Sequence, residues 1–240
     1  METNEILGCP INLVDSDMAR EHINSFVESK RFGYFVAINA EKIYRYRKDE
    51  QLKSVVDASL YPYPDGAGAV ISGRLFFGMK SEKINMPILA LEEANANGWR
   101  VFIYGAQEDV HNDAIGKIKI KYPNIQIVGN MHGYHSQESA MESIAQSKPQ
   151  LVMLALGSPR QEFFANKCTV AGLESIFIGC GGALDIISGR LNRAPSFFVD
   201  NGLEWFYRLV QEPWRWKRQR VLPLFLFAIM KEKLFKTKSK

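Results

Sequence analysis

The chain has 240 residues, of which 46% are hydrophobic and 23% charged, with a net charge of +4. That length buries a full core as one large domain or as one domain plus an appendage, and the composition is that of an ordinary soluble globular protein. So mild a charge does not by itself argue for nucleic acid, and the excess is concentrated after Arg208. Cys9, Cys168 and Cys180 are odd in number and form no CxxC pair, which argues against a disulfide framework or a zinc site and suits a reducing compartment. The polar, acidic start Met1 to Glu5 is not a signal peptide. The longest apolar run, Val221 to Met230, contains Pro223 and falls short of the roughly 20 residues that cross a bilayer. The expected location is cytoplasmic.

Ile6 to Val14 reads as one or two short strands. Asp15 or Ser16 then caps a helix with Ala19, Ile23, Phe26 and Val27 on one face, ended by Gly33. Tyr34 to Ile38 is a buried strand that delivers Asn39-Ala-Glu-Lys42 to a helix start, and Asp49 to Ala58 is a further helix. In Tyr61 to Gly68 two prolines hold the chain extended and set Asp65 before a glycine-containing helix start. Residues 69–86 have no clear period; Arg74, Lys80 and Lys83 make them basic. Pro87 opens a helix to about Asn97, stopped by Gly98. A strand Val101 to Tyr104, a helix Val110 to Lys121, a strand Ile125 to Val128 and a polar loop Gly129 to Ser136 follow. Ser136 or Gln137 opens the next helix.

Residues 151–195 are the most informative. Leu151 to Leu156 is a buried strand that breaks into Gly157-Ser-Pro-Arg-Gln-Glu162, and a helix runs on to Ala171. Ser175 to Ile178 is a second strand, breaking into Gly179-Cys-Gly-Gly-Ala-Leu-Asp185. Buried strands that end in glycine-containing polar loops build a ligand crevice at the carboxyl edge of a parallel sheet. Glycines admit close backbone approach, and helix-start amides favour anions, so a nucleotide or phosphate ligand is expected here. The alternation of strands and helices predicts an α/β fold: a Rossmann-like, mostly parallel sheet with helices on both faces. A domain of residues 1–198 is expected, with a helical appendage over 199–240. In the appendage Leu203, Phe206, Tyr207 and Val210 fall at helical spacing, and basic residues alternate with Trp205, Trp214 and Trp216. Both an interfacial membrane helix and a helical pair with a solvated basic face fit this pattern.

Several residues have a structural and a chemical use. Asp65 is a helix N-cap or a general base. Asn39 stabilises a turn or binds a sugar; Arg160 and Gln161 form a surface first turn or contact a diphosphate. The run from Gly179 departs from the dinucleotide fingerprint, because Leu184 holds its third small position, which weakens an oxidoreductase reading. Gly157-Ser158-Pro159 lacks the G-x-S-x-G elbow of a serine nucleophile. His132 and His135 have no third ligand nearby in sequence and read as a solvated loop rather than a metal site, and the cysteines as core or core-edge residues.

Together Ala37-Ile-Asn-Ala-Glu-Lys42, Pro64-Asp-Gly-Ala-Gly68, Gly157-Ser-Pro-Arg-Gln-Glu162, Gly179-Cys-Gly-Gly-Ala183 with Asp185, Arg193-Ala-Pro195 and Gly202-Leu-Glu-Trp-Phe-Tyr-Arg-Leu209 resemble the WecG/TagA/CpsF glycosyltransferase family in order and spacing. Glu212-Pro213 extends the match, which runs from about residue 6 to 220. The resemblance implies an inverting transferase without a cofactor or metal. It would move an N-acetylmannosamine-type sugar from a UDP donor to a polyprenyl-diphosphate-linked N-acetylglucosamine in surface polysaccharide synthesis. The Ala37 to Lys42 segment and the tail lean toward the enterobacterial common antigen enzyme and an N-acetylmannosaminuronic acid donor. The alternatives are another hexose in exopolysaccharide or capsule synthesis, and a non-catalytic basic membrane- or RNA-binding module. The implied partners are the UDP-sugar, the lipid-linked saccharide and the inner face of the cytoplasmic membrane, with no nucleic acid and with a homo-oligomer left open.

By the resemblance Asp65 is the base, Asn39 and Gln161 are active-site polar residues, and Arg208, Arg215 and Arg218 meet the acceptor and membrane; Lys83, Gly157, Arg160, Gly181, Gly182 and Asp185 are the further candidates to bind substrate. Two positions depart from the family pattern. Ala37 stands where some members have Thr. Lys83 stands where many have Arg, and Lys keeps the charge without the two-pronged fork; Met86-Pro-Ile88 follows where a Gly-x-Asp is common.

Overall fold

The computed structural model describes residues 3–78, 82–192, 194–195, 197–198, 203–213, 216 and 220–238. The N-terminal strands β1 (Asn4–Ile6) and β2 (Cys9–Ile11) form an antiparallel hairpin. Helix α1 (Ser16–Glu28) follows, capped by Asp15, whose side chain accepts from the Met18 N–H at 2.9 Å. Strand β3 (Gly33–Ile38) leads to α2 (Ala40–Tyr46) and α3 (Glu50–Asp57), and β4 (Tyr61–Pro64) to α4 (Ala67–Phe77) and α5 (Met86–Asn97). Then come β5 (Arg100–Gly105), α6 (Glu108–Lys121), β6 (Gln126–Met131), α7 (Gln137–Ser147), β7 (Leu151–Ala155), α8 (Arg160–Val170), β8 (Ile176–Gly179) and the short α9 (Ala183–Ile187). The C-terminal helices are α10 (Glu204–Gln211) and α11 (Val221–Lys238).

Six strands form one sheet in the order β4-β3-β8-β7-β5-β6, and every pairing is parallel. Side chains of a strand alternate between faces, so the apolar runs fill two cores. Tyr34, Val36, Phe102, Val152, Leu154 and Phe177 point to the first, which α2, α3, α7, α8 and α11 cover. Phe35, Tyr61, Ile103, Met153, Ile176 and Ile178 point to the second, covered by α1, α5, α6 and α9. This is the expected α/β architecture: a buried parallel sheet with helices on both sides.

Three local expectations change. The polar loop after the sixth strand begins later, because β6 extends through Gly129 and Asn130 to Met131. Gly129 is required there: a Cβ would stand 2.4 Å from the Phe102 ring. The unclear stretch after Asp65 contains α4, an almost wholly apolar helix ended by Gly78 in the left-handed conformation. The apolar run from Val221 and the basic end form one helix, with Pro223 in its first turn, where a missing N–H costs no intrahelical bond. Phe225 and Ile229 of that helix are buried in the first core. Among the described residues no helix is long and apolar enough to cross a membrane. All three cysteines are buried.

Candidate functional site

Because all six strands are parallel, the loops that leave them share one edge. In strand order that edge carries Asp65, Asn39, the Cys180–Gly182 turn, Gly157–Pro159, Ala106 and His132. At about 4.8 Å per strand, Asp65 and the Gly157 loop are roughly 14 Å apart across the edge. The order also fixes a switch point. From adjacent strands β5 and β7 the chain departs to opposite faces, into α6 on the second core and α8 on the first. Open parallel sheets bind ligands at such a divide. Gly105 there has φ +118°, and a Cβ would stand 2.5 Å from the Ala155 carbonyl; Ala106 follows at φ +63°.

Asp65 is half-buried at the end of β4. Its N–H donates to the Ile38 carbonyl at 2.8 Å, which fixes it beside the end of β3. The N-cap position of α4 is Gly66, at φ +85°, one residue after Asp65. The next loop returns to the same place, since the Ile84 N–H donates to the Pro64 carbonyl at 3.2 Å and sets exposed Lys83 by the end of β4. Tyr63, two residues before Asp65, is held well above the usual phenol range, first by burial and then by the Asp65 charge. It stays a neutral phenol beside the carboxylate.

Asn39 keeps its structural use. Its Oδ1 accepts from the Lys42 N–H at 2.9 Å and caps α2, so its amide group is the part able to meet a ligand. Asn39, Lys42, Arg45, Ser158 and Pro159 line a narrow cavity of about 40 Å³ that joins the β3 and β7 loops. A larger open hollow, bounded by Glu50, Gln51, Ser54, Val55 and Phe163, lies between α3 and α8.

Gln161 and Glu162 open α8 and point inward, each under a tenth exposed. Lys42 Nζ donates to Glu162 Oε1 at 2.7 Å in a buried ion pair. Gln161 lies across the end of β8, where a Cβ on Gly179 would stand 2.1 Å from its Nε2. Its Oε1 is buried without a hydrogen-bond partner among the described residues. An unsatisfied buried acceptor costs about 1–3 kcal/mol, which a donor from a bound ligand would offset. Nothing in the sequence pairs Lys42 with Glu162. The signal available was a Lys and a Glu inside the two motifs, at Asn39-Ala-Glu-Lys42 and Arg160-Gln-Glu162.

The Cys180 turn supplies backbone, not a nucleophile. Burial pushes the Cys180 thiol up to about 12, so it is protonated at neutral pH. The Cys180 N–H donates to the Leu154 carbonyl and the Ala183 N–H to the Cys180 carbonyl, which fixes the turn that carries Gly181 and Gly182. Asp185 sits half-buried in the first turn of α9, and Arg160 is exposed at the start of α8. Thus Asp65, Asn39 and Lys83 gather at one end of the edge and Gly157, Arg160, Gln161, Gly181, Gly182 and Asp185 further along it. Arg208 lies on α10; its side chain, and all of Arg215 and Arg218, are outside the described residues. The His132 and His135 rings lie against each other, centroids 4.2 Å apart, after β6.

The sequence profile of the WecG/TagA/CpsF glycosyl transferase family matches residues 4–239. The chain belongs to that family. It is therefore a glycosyltransferase, and the carboxyl edge is where a parallel α/β member would hold its substrates. Two relatives carry a more specific description. An N-acetylglucosaminyldiphosphoundecaprenol N-acetyl-beta-D-mannosaminyltransferase of Bacillus subtilis (strain 168) is 35% identical over 211 residues, 86% of this chain and 82% of the relative. An enzyme of the same description from Bacillus spizizenii is 32% identical over 232 residues, 92% of this chain and 90% of the relative.

Proposed function

We propose that this glycosyltransferase moves N-acetylmannosamine from a UDP donor to N-acetylglucosamine linked through a diphosphate to a polyprenol, with inversion. The description of both relatives supports the acceptor and weights N-acetylmannosamine over its uronic acid. The observation that carries the chemistry is the setting of Asp65: half-buried at the sheet's carboxyl edge, its backbone clamped to Ile38, one residue ahead of the α4 cap position.

In this reading the acceptor hydroxyl attacks the anomeric carbon of the donor. Asp65 takes the hydroxyl proton as the new C–O bond forms, and UDP leaves from the opposite face with the electrons of the broken bond. The amides of Gly181 and Gly182, with Gly157, Arg160, Gln161 and Lys83, offset the charge that grows on the diphosphate. Asn39 and Asp185 hold sugar or ribose hydroxyls. Residues 199–240 act as a membrane-associating appendage on a catalytic domain of 1–198, and Arg208, Arg215 and Arg218 meet the acceptor diphosphate. The enzyme then works as a peripheral protein on the inner face of the cytoplasmic membrane.

A donor panel tests this: UDP-N-acetylmannosamine, its uronic acid, UDP-N-acetylglucosamine and UDP-glucose on a soluble analogue of the lipid-linked acceptor. The expected product is a β-linked N-acetylmannosaminyl disaccharide. Transfer of a different hexose, or none, contradicts the proposal.

A further inference from the structure

The helix that follows the candidate base is unlike the other helices of the domain. Helix α4 has one charged residue, Arg74, yet exposes Ile71 by 60%, Leu75 by 38% and Phe77 by 37%. Ile71 and Leu75 are four apart and share a face. Helix α11 lies over the first turn of α4: a Cβ on Gly68 would stand 2.9 Å from the Ala40 Cβ and 3.5 Å from the buried Phe225 ring. While Phe225 and Ile229 face the core, Leu224, Phe227 and Met230 of α11 are more than half exposed. Two adjoining helices thus present apolar side chains outward, whereas exposed apolar residues on a soluble protein are normally scattered.

The charge distribution identifies what covers them. After Tyr207 the sequence has ten Lys and Arg against two acidic residues, so the rest of the chain is net negative. Basic residues flank the apolar segment of α11 on both sides, Arg220 before it and Lys231 and Lys233 after it. Apolar residues with a basic border fit an anionic lipid surface, where each cation and each inserted side chain adds to binding.

We propose that α4 is a membrane-contact element in its own right, continuous with α11, and that it sets the height of Asp65 above an anionic bilayer. Helix α4 starts two residues after Asp65 and spans about 16 Å at 1.5 Å per residue. A lipid-borne acceptor carries its hydroxyl just outside the headgroups, so an element that seats the base at that depth raises turnover on lipid-anchored acceptor and leaves turnover on a soluble one unchanged. This rests on the proposed lipid-linked acceptor.

The test compares full-length protein with the Ile71→Glu/Leu75→Glu variant, and with Ile71→Ser/Leu75→Ser as a milder change. Vesicles of phosphatidylglycerol with phosphatidylcholine, and of phosphatidylcholine alone, are sedimented with each protein. Glutamate on α4 is expected to weaken binding to the anionic vesicles by about tenfold or more, and serine by less. Turnover on a long-chain acceptor in vesicles falls in parallel, while turnover on a short soluble acceptor and the thermal shift with UDP stay at the unsubstituted level. Unchanged vesicle binding in both variants overturns the proposal. A change in oligomeric state with unchanged vesicle binding overturns it too, by assigning the face to a second copy of the chain. Vesicle binding is read without any donor, so loss of the proposed transfer reaction in the unsubstituted protein would not be mistaken for this result.

Discussion

Lys42 on α2 and Glu162 on α8 form an ion pair of 2.7 Å in which both side chains are about 95% buried. The pair joins the first turns of two helices whose starts carry Asn39 and Gln161, so it ties the β3 loop to the β7 loop. Two charges out of water are expensive, and Glu162 Oε2 has no partner among the described residues to offset its share. The pair is therefore better explained as a device that fixes loop geometry than as a source of stability.

Removing one partner strands a buried charge. Lys42→Met should destabilise the fold by about 3–5 kcal/mol, while Lys42→Met combined with Glu162→Leu should recover much of that loss. Denaturant unfolding of the two single variants and the double variant measures the coupling. Additive losses would mean that the two charges do not depend on each other.

The contact between Gln161 and Gly179 gives a second expectation. In Gly179→Ala the new methyl would stand 2.1 Å from Gln161 Nε2 and would displace that side chain. Activity should fall in Gly179→Ala about as far as in Gln161→Ala, and the double variant should fall no further. Steady-state kinetics on the three variants tests whether one arrangement is lost or two.

Burial pushes the thiols of Cys9, Cys168 and Cys180 up to about 12 from an ordinary 9.0. Their contribution to stability is complete below pH 9, the unfolded value, and is lost as pH rises toward 12. Tyr34 and Tyr61, also raised by burial, act in the same direction. Melting temperature should hold between pH 7 and about 8.5 and decline steadily above about 9. A thiol reagent at neutral pH should leave all three cysteines unmodified until the protein is unfolded.

The C-terminal helix is held by Phe225, which is 1% exposed against Gly68 and Ala40. Phe225→Ala removes a large buried ring, a loss of about 3–5 kcal/mol where the site cannot collapse. Hydrogen exchange should show lost protection over Val221–Lys238, with the central strands β7 and β8 unaffected.

The order of strands and helices was readable because each element repeats one simple pattern. Leu151 to Ala155 and Ile176 to Ile178 are buried on both faces and show as unbroken apolar runs; Asp15, Asn39, Asp49 and Ser136 mark their helices as caps. Helix α4 is hidden because its only polar side chains are Ser72 and Arg74, too few to mark a period. Met131 does not read as strand in the sequence, because Gly129 and Asn130 before it are poor strand formers that this edge position beside Phe102 accepts. At the site, the cap position of α4 falls on Gly66, one residue after Asp65. Asn39 had two uses in prospect and has at least the structural one. The Lys42–Glu162 pair joins residues 120 apart, and only the fold brings them together.

The most direct measurement is transfer by Asp65→Asn, which keeps the shape of the side chain and removes its basicity. Turnover on the lipid-linked acceptor should fall about 10²- to 10⁴-fold, while the melting temperature and its rise with UDP remain those of the unsubstituted enzyme. Turnover near that of the unsubstituted enzyme in a folded, UDP-binding Asp65→Asn protein would contradict the assignment of Asp65 as the proton acceptor.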